Sequence, residues 1–221
     1  MMYVYAAVPA GTTAPSETGI DGSRVSVIEA GGLGLVVSDH AAPLVPTRRR
    51  LIEHHRVNMA LANAGAVLPF RFGNVFAEPD QLLSSVAMRR AELSSKLQRL
   101  AGLVELTVRI TSSGEASPID SHDEPDETPG RRYLLAKRRE LDEAGRRERQ
   151  LKLAGDRVLA ALAGLIEDHC SETRGRQLML ALLLRRQDIS CARTRLEEIE
   201  NVAEDGCAWT VSGPWAPSSF A

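Results

Sequence analysis

The chain has 221 residues, room for one large domain or two small ones, and 43% of them are apolar, enough to bury a core. A formal net charge of −2 leaves no overall field to draw in nucleic acid or an anionic membrane, so composition argues against both partners. Cys170, Cys191 and Cys207 are odd in number and lack CxxC spacing, which argues against a disulfide framework or zinc ribbon and predicts buried, reduced thiols.

Met2 to Val8 is rich in Tyr and Val and is closed by Pro9-Ala-Gly11, which reads as a first strand; no basic region precedes it as in a signal peptide. After a Gly/Thr/Ser/Pro loop to about Ser23, Arg24 to Glu29 alternates, Gly31-Gly32 turns the chain, and Leu33 to Val37 returns as the second arm of a hairpin. Thr47 offers an N-cap to a helix whose apolar face is read as Leu51, His55, Met59 and Ala62, with Gly65 as its stop. Ala66 to Phe70 fits a short buried strand, and Glu78-Pro-Asp80 opens a second helix with Leu82, Leu83, Val86, Leu93, Leu97 and Leu100 on one face. Leu103 to Ile110 alternates as a strand.

From Ser112 to Gly130, Ser, Pro, Asp, Glu and Gly dominate, so this stretch is expected to be a mobile loop. Arg131 to about Cys170 reads as a charged helix with a seam of Leu151, Ala154, Val158, Leu162 and Leu165. Such a helix would reach roughly 60 Å, so one end projects or Gly145 or Gly155 bends it. Gln177 to Leu184 reads as a strand too short to span a bilayer, Cys191 to Val202 as a helix, and Cys207 to Val211 as a last strand. The fold class is therefore α+β, as two small mixed domains with helices on one face of each sheet. Residues 1–101 form the first. Residues 102–221 form the second, a modified ferredoxin-like unit with one strand missing or displaced, a long charged helix, the mobile loop 112–130 and a tail over 212–221.

A catalytic constellation is not legible. His54 and His55 are neighbours with no HExxH spacing, and adjacent helical positions diverge by about 100°, so a shared metal is not expected. Gly31-Gly-Leu-Gly34 lacks both the dinucleotide and the Walker patterns. Ser38, Asp39 and His40 are consecutive and are not expected to form a relay. Arg48-Arg49-Arg50 opposes the helix dipole and could meet an acidic partner. The basic residues from Arg131 to Arg147 alternate with acids as on a solvated helix face, with only Tyr133 to stack a base. The chain is read as soluble and cytoplasmic, with no catalytic, metal or cofactor residues.

Two aromatic segments stand out in a chain that is 4% aromatic: Val67-Leu-Pro-Phe-Arg-Phe-Gly-Asn-Val-Phe76 and Ser212-Gly-Pro-Trp-Ala-Pro-Ser-Ser-Phe220. Rings beside stiff turns bury much area at little conformational cost. With Tyr3-Val-Tyr5, Arg50-Leu-Ile-Glu-His-His55, Leu103-Val-Glu105 and Gly130-Arg-Arg-Tyr-Leu-Leu135, these segments resemble the gas vesicle protein GvpF/GvpL family over nearly the whole chain. Ala216 and Ser218 stand where that family's ending has Pro and Tyr, and Asn74 replaces a common Thr. The resemblance does not separate an F-type from an L-type member.

The resemblance implies two α/β domains, the second modified ferredoxin-like. It also implies a non-enzymatic accessory protein of gas vesicle assembly that meets the small hydrophobic shell protein, other accessory proteins, or both, at the gas vesicle. The partner-binding candidates are Phe70, Arg71, Phe72, Phe76, Trp215 and Phe220. A plainer reading has Phe70 and Trp215 fastening the tail to the core, with Arg71 and Arg131 to Arg139 as exposed contacts. A small-molecule sensor or regulatory module of ferredoxin-like type is the competing function.

Overall fold

A computed structural model of the chain describes residues 1–112, 129–202 and 206–221. Nine strands and four helices follow in order among them. These are β1 (Met2–Pro9), β2 (Ser26–Ala30), β3 (Leu33–Asp39), α1 (Arg48–Ala64), β4 (Leu68–Pro69), β5 (Val75–Phe76) and α2 (Pro79–Leu100). Then come β6 (Leu103–Ser112), α3 (Pro129–Ala161), β7 (Ile166–Arg174), β8 (Gln177–Arg185), α4 (Ile189–Val202) and β9 (Cys207–Trp215). The class is α+β, as the patterning implied. The chain divides into two compact units, one of Met1–Leu106, Leu183–Arg186 and Gly213–Ala221, the other of Thr107–Leu182 and Gln187–Ser212.

The first unit is built around β1. Its sheet runs β2-β3-β1-β4, with β5 also paired to β1. The β2–β3 hairpin turns at Gly31 and Gly32, both at positive φ, where glycine carries no Cβ penalty. Every residue from Met2 to Val8 is buried, and both α1 and α2 pack against β1, so neither face of this strand is left to solvent. That differs from the expected one-sided cover, because the apolar content of β1 does not alternate. Thr47 caps α1 as expected, accepting from Arg50 N–H at 3.3 Å, and Gly65 ends it. The buried face of α1 is His54, Val57, Asn58, Leu61 and Ala62, whereas Leu51 is exposed. The expected face was rotated because two polar residues occupy the core side. On α2 the expected face holds at Leu82, Val86, Leu93, Leu97 and Leu100, and Leu83 falls outside it.

The second sheet runs β7-β8-β6-β9. β7 corrects the sequence reading, which continued the long helix to about Cys170 and lacked a strand here. α3 ends at Ala161, where Arg195 Nη1 donates to the last carbonyl at 3.2 Å. β7 was invisible because Ile166-Glu-Asp-His-Cys-Ser-Glu-Thr-Arg174 is an edge strand with no buried residue and no apolar alternation. α3 packs through Leu151, Ala154 and Val158, with Leu162 buried just past its end, and Gly155 lets its backbone approach Leu178, whose Cδ2 would lie 2.7 Å from an added Cβ. No side chain from Arg131 to Arg149 is buried. Of the expected loop 112–130, residues 113–128 lie outside the described residues, Ser112 ends β6 and Gly130 lies in α3. Cys170 and Cys191 are exposed and Cys207 is half-buried, so the expectation of buried thiols fails.

Candidate functional site

The aromatic segment after α1 is held along the free edge of β1. Ala6 pairs with Pro69, Phe70 N–H donates to Tyr5 C=O at 2.8 Å, Val4 N–H donates to Asn74 C=O at 2.9 Å, and Met2 pairs with Phe76. Between these bonds residues 71–73 leave the ladder. Gly73 turns the chain at φ +100, a conformation that L side chains rarely adopt, and Asn74 Nδ2 donates to Arg71 C=O at 2.8 Å. Backbone groups released from the ladder need other partners.

Those partners come from a buried polar network. Tyr3 Oη lies 2.9 Å from His54 Nδ1, and Gly73 N–H donates to Tyr3 Oη at 3.4 Å. His54 Nε2 lies 3.0 Å from Phe70 C=O, which can only accept, so Nε2 carries the proton and Nδ1 accepts from Tyr3. The Asn58 amide also lies 2.9 Å from Nε2. With Nδ2 turned that way two donors face each other and Asn58 Oδ1 is buried with no partner; the opposite orientation removes the donor–donor clash by letting Oδ1 share the Nε2 proton with Phe70 C=O. His54 thus ties α1, β1 and the Phe70–Gly73 turn together. Burial, as the main cause, and the neighbouring His55 lower its pKa to about 4, against the opposing bond to Phe70. Burial drives the Tyr3 hydroxyl well above the ordinary tyrosine range. Tyr5 stacks on His54 with ring centroids 5.6 Å apart, and Phe72 packs edge-on to His54 at 5.9 Å.

Above this network lies a groove of about 360 Å³ between the β4–β5 segment and α2. Phe70, Arg71, Phe72 and Phe76 line it together with Leu82, Val86 and Leu93. The three rings are half-buried and Arg71 is exposed. Trp215 and Phe220 are not among its lining residues. Trp215 meets His55 edge-on at 5.0 Å, and burial lowers the His55 pKa. Phe220 is buried in the C-terminal turn. There Glu105, 7% exposed, accepts from Ser219 N–H and Ser219 Oγ at 2.9 Å each, and Arg99 Nη2 donates to Phe220 C=O at 3.0 Å. Four of the six candidates therefore share one surface, and two belong to the fastened tail.

The remaining clusters hold structure. Ser38 and His40 do meet, Oγ to Nε2 at 2.8 Å, with Tyr5 Oη 2.9 Å from the same Oγ. Ser38 is 1% exposed, so no substrate reaches that hydroxyl. Arg50 pairs with Asp21 at 2.7 Å and Arg49 with Glu53 at 2.8 Å, so two of the three arginines opening α1 have partners within the chain. On α3, Lys137 pairs with Glu140 and Arg138 with Asp142. Among the described residues no group of three His, Cys, Asp or Glu could hold a metal ion, and no helix is long and apolar enough to cross a membrane. Sequence reasoning missed Tyr3, Asn58 and Glu105. The one available signal was the i, i+4 spacing of His54 and Asn58, which puts both on one helix face.

The profile of the family described as "Gas vesicle synthesis protein GvpL/GvpF" matches residues 1–221. Gas vesicle protein L2 of Halobacterium salinarum is 30% identical over 257 aligned residues, which cover 99% of this chain and 90% of that protein. Gas vesicle protein L1 of the same organism is 28% identical over 239, covering 93% and 84%. The crystal structure of GvpF from Anabaena sp. PCC7120 superposes with a TM-score of 0.80 at 22% identity, covering 99% of this chain and 94% of that one. That of GvpF from Microcystis aeruginosa does so at 0.75 and 18%, covering 99% and 98%. At such identities the two structures speak to the fold alone.

Proposed function

The chain belongs to the GvpL/GvpF family of gas vesicle synthesis proteins, and on that premise we propose that it is a non-enzymatic docking protein of gas vesicle assembly. It binds the small hydrophobic shell protein through the groove, with other accessory proteins as further partners, in the cytoplasm and at the growing vesicle. A gas-filled shell needs an inner face that water does not wet, so its subunits expose apolar surface before they assemble. Such patches aggregate unless something covers them.

The observation that carries this reading is an open groove lined by three phenylalanine rings, whose wall is pinned from beneath by the Tyr3–His54–Phe70 bonds. A preformed site binds without the cost of ordering itself. The test is binding of purified full-length chain to the shell protein. Phe70→Ala and Phe76→Ala are expected to weaken it at least tenfold, since large rings dominate such surfaces. Trp215→Ala, outside the groove, is expected to leave it within about twofold. Unchanged binding in both groove variants, with unchanged melting, sinks the groove as the docking surface.

A further inference from the structure

The groove's charge selects its occupant, an inference that rests on the docking reading above. Its lining carries three cationic side chains, Arg71, Arg89 and Lys96, and no acidic side chain; Ala221, the last residue of the sequence, lines it as well. Arg89 and Lys96 stand two turns apart on α2, and Glu92 between them holds both. Arg89 reaches its two oxygens through Nε and Nη2 at 3.0 Å each, and Lys96 Nζ reaches one at 3.3 Å. Glu92 offsets one of that wall's two positive charges. On the facing wall Arg71 is exposed, and among the described residues its guanidinium has no hydrogen bond or ion pair; only its backbone carbonyl is used, by Asn74.

We propose that the groove takes an apolar segment of the shell protein that carries an acidic side chain, whose carboxylate is bound by Arg71. The guanidinium presents paired N–H donors that match a carboxylate bidentately. A wholly apolar segment laid between Phe70 and Phe72 would strip water from Arg71 without replacing it, an unfavourable trade. The same asymmetry gives selectivity: it rejects neutral apolar segments and prefers those bearing an acid.

The experiment tiles the shell protein as overlapping synthetic peptides, probes them with the full-length chain, and measures the tightest acid-bearing peptide in solution by fluorescence anisotropy. Arg71→Gln is expected to weaken it about tenfold and Arg71→Glu about a hundredfold, the range for losing and reversing a charged partner. Arg71→Lys should fall between wild type and Arg71→Gln. Replacing the peptide's Glu or Asp by its amide should cost about the same tenfold in wild type and less than about twofold in Arg71→Gln, which identifies the pair. Added salt should weaken wild-type binding more than that of Arg71→Gln. If Phe70→Ala abolishes binding while Arg71→Gln leaves it unchanged, the acid-binding role is wrong and the docking reading stands. If neither substitution matters, the docking reading itself falls. Arg71-dependent capture of anionic lipid vesicles, with no peptide bound, also overturns the inference.

Discussion

Acidification should loosen the first unit through His54, and the size of the effect follows from its surroundings. In the unfolded chain this imidazole titrates near its ordinary 6.5; in the folded chain it stays neutral down to about pH 4. Between those values the unfolded state binds more protons, so acid favours unfolding. Stability is full above pH 6.5 and is lost as pH falls towards 4. The side chain sits in a residue only 9% exposed, so little solvent screening applies. At pH 4.5 the loss from this group is about 2.5 kcal/mol. His40 and His55, whose pKa values burial also lowers, add slope of the same sign. The contribution of His54 is therefore read as a difference between variants. Urea unfolding of wild type and His54→Gln at pH 7.0, 6.0, 5.0 and 4.5, followed by amide exchange of Phe70 and Gly73, isolates it. Glutamine keeps a donor for Phe70 C=O but cannot titrate. The wild type should lose about 2.5 kcal/mol more than the variant between pH 7 and 4.5. Parallel curves would refute the reasoning, because they would mean that His54 is already hydrated or charged in the folded chain.

Three further outcomes test other joints. Glu105→Gln replaces an acceptor-only group facing two Ser219 donors; it should cost the tail about 1.5 kcal/mol, seen as roughly tenfold faster exchange of the Ser219 amide. Exchange unchanged from wild type would show that the carboxylate does not hold the tail. Gly213 has φ +116, and an added Cβ would lie 2.8 Å from Glu105 C=O. Gly213→Ala should therefore destabilise by about 2 kcal/mol and lower Tm by about 5 °C, and a shift below about 1 °C contradicts the strain. On α3, Leu151 is 1% exposed and Leu141 is 64% exposed. Leu151→Ala should cost about 3 kcal/mol in urea unfolding and Leu141→Ala less than about 0.5; equal costs would refute the packing boundary between them.

How much of this was legible depended on whether a residue's partner was near in sequence. The β2–β3 hairpin could be read because alternation and the Gly31-Gly32 turn are local signals, and the α2 face because its leucines keep helical spacing. β7 could not, since an edge strand with no buried residue needs no apolar period. The α1 face was read one position off for the opposite reason. His54 and Asn58 look like surface residues until Tyr3, 51 positions earlier, supplies a partner. The two aromatic motifs stand out in the sequence, yet nothing in their composition says that they occupy different places. Phe70, Phe72 and Phe76 line the groove, whereas Trp215 meets α1 and Phe220 closes the tail.

The buried network also explains how so short a segment holds the wall of a preformed groove. β4 and β5 are two residues each, too little ladder to fix a wall. The turn between them must leave the sheet to present Phe70, Arg71 and Phe72, and leaving the sheet strands a carbonyl at Phe70 and an N–H at Gly73. His54 and Tyr3 satisfy those two groups from below. Apolar residues in their place would leave both groups unpaired, at about 1–3 kcal/mol each, and the turn would relax into solvent. Polar residues at the centre of the core are thus the condition for the ring-lined wall above it, because they hold the turn that presents Phe70 and Phe72.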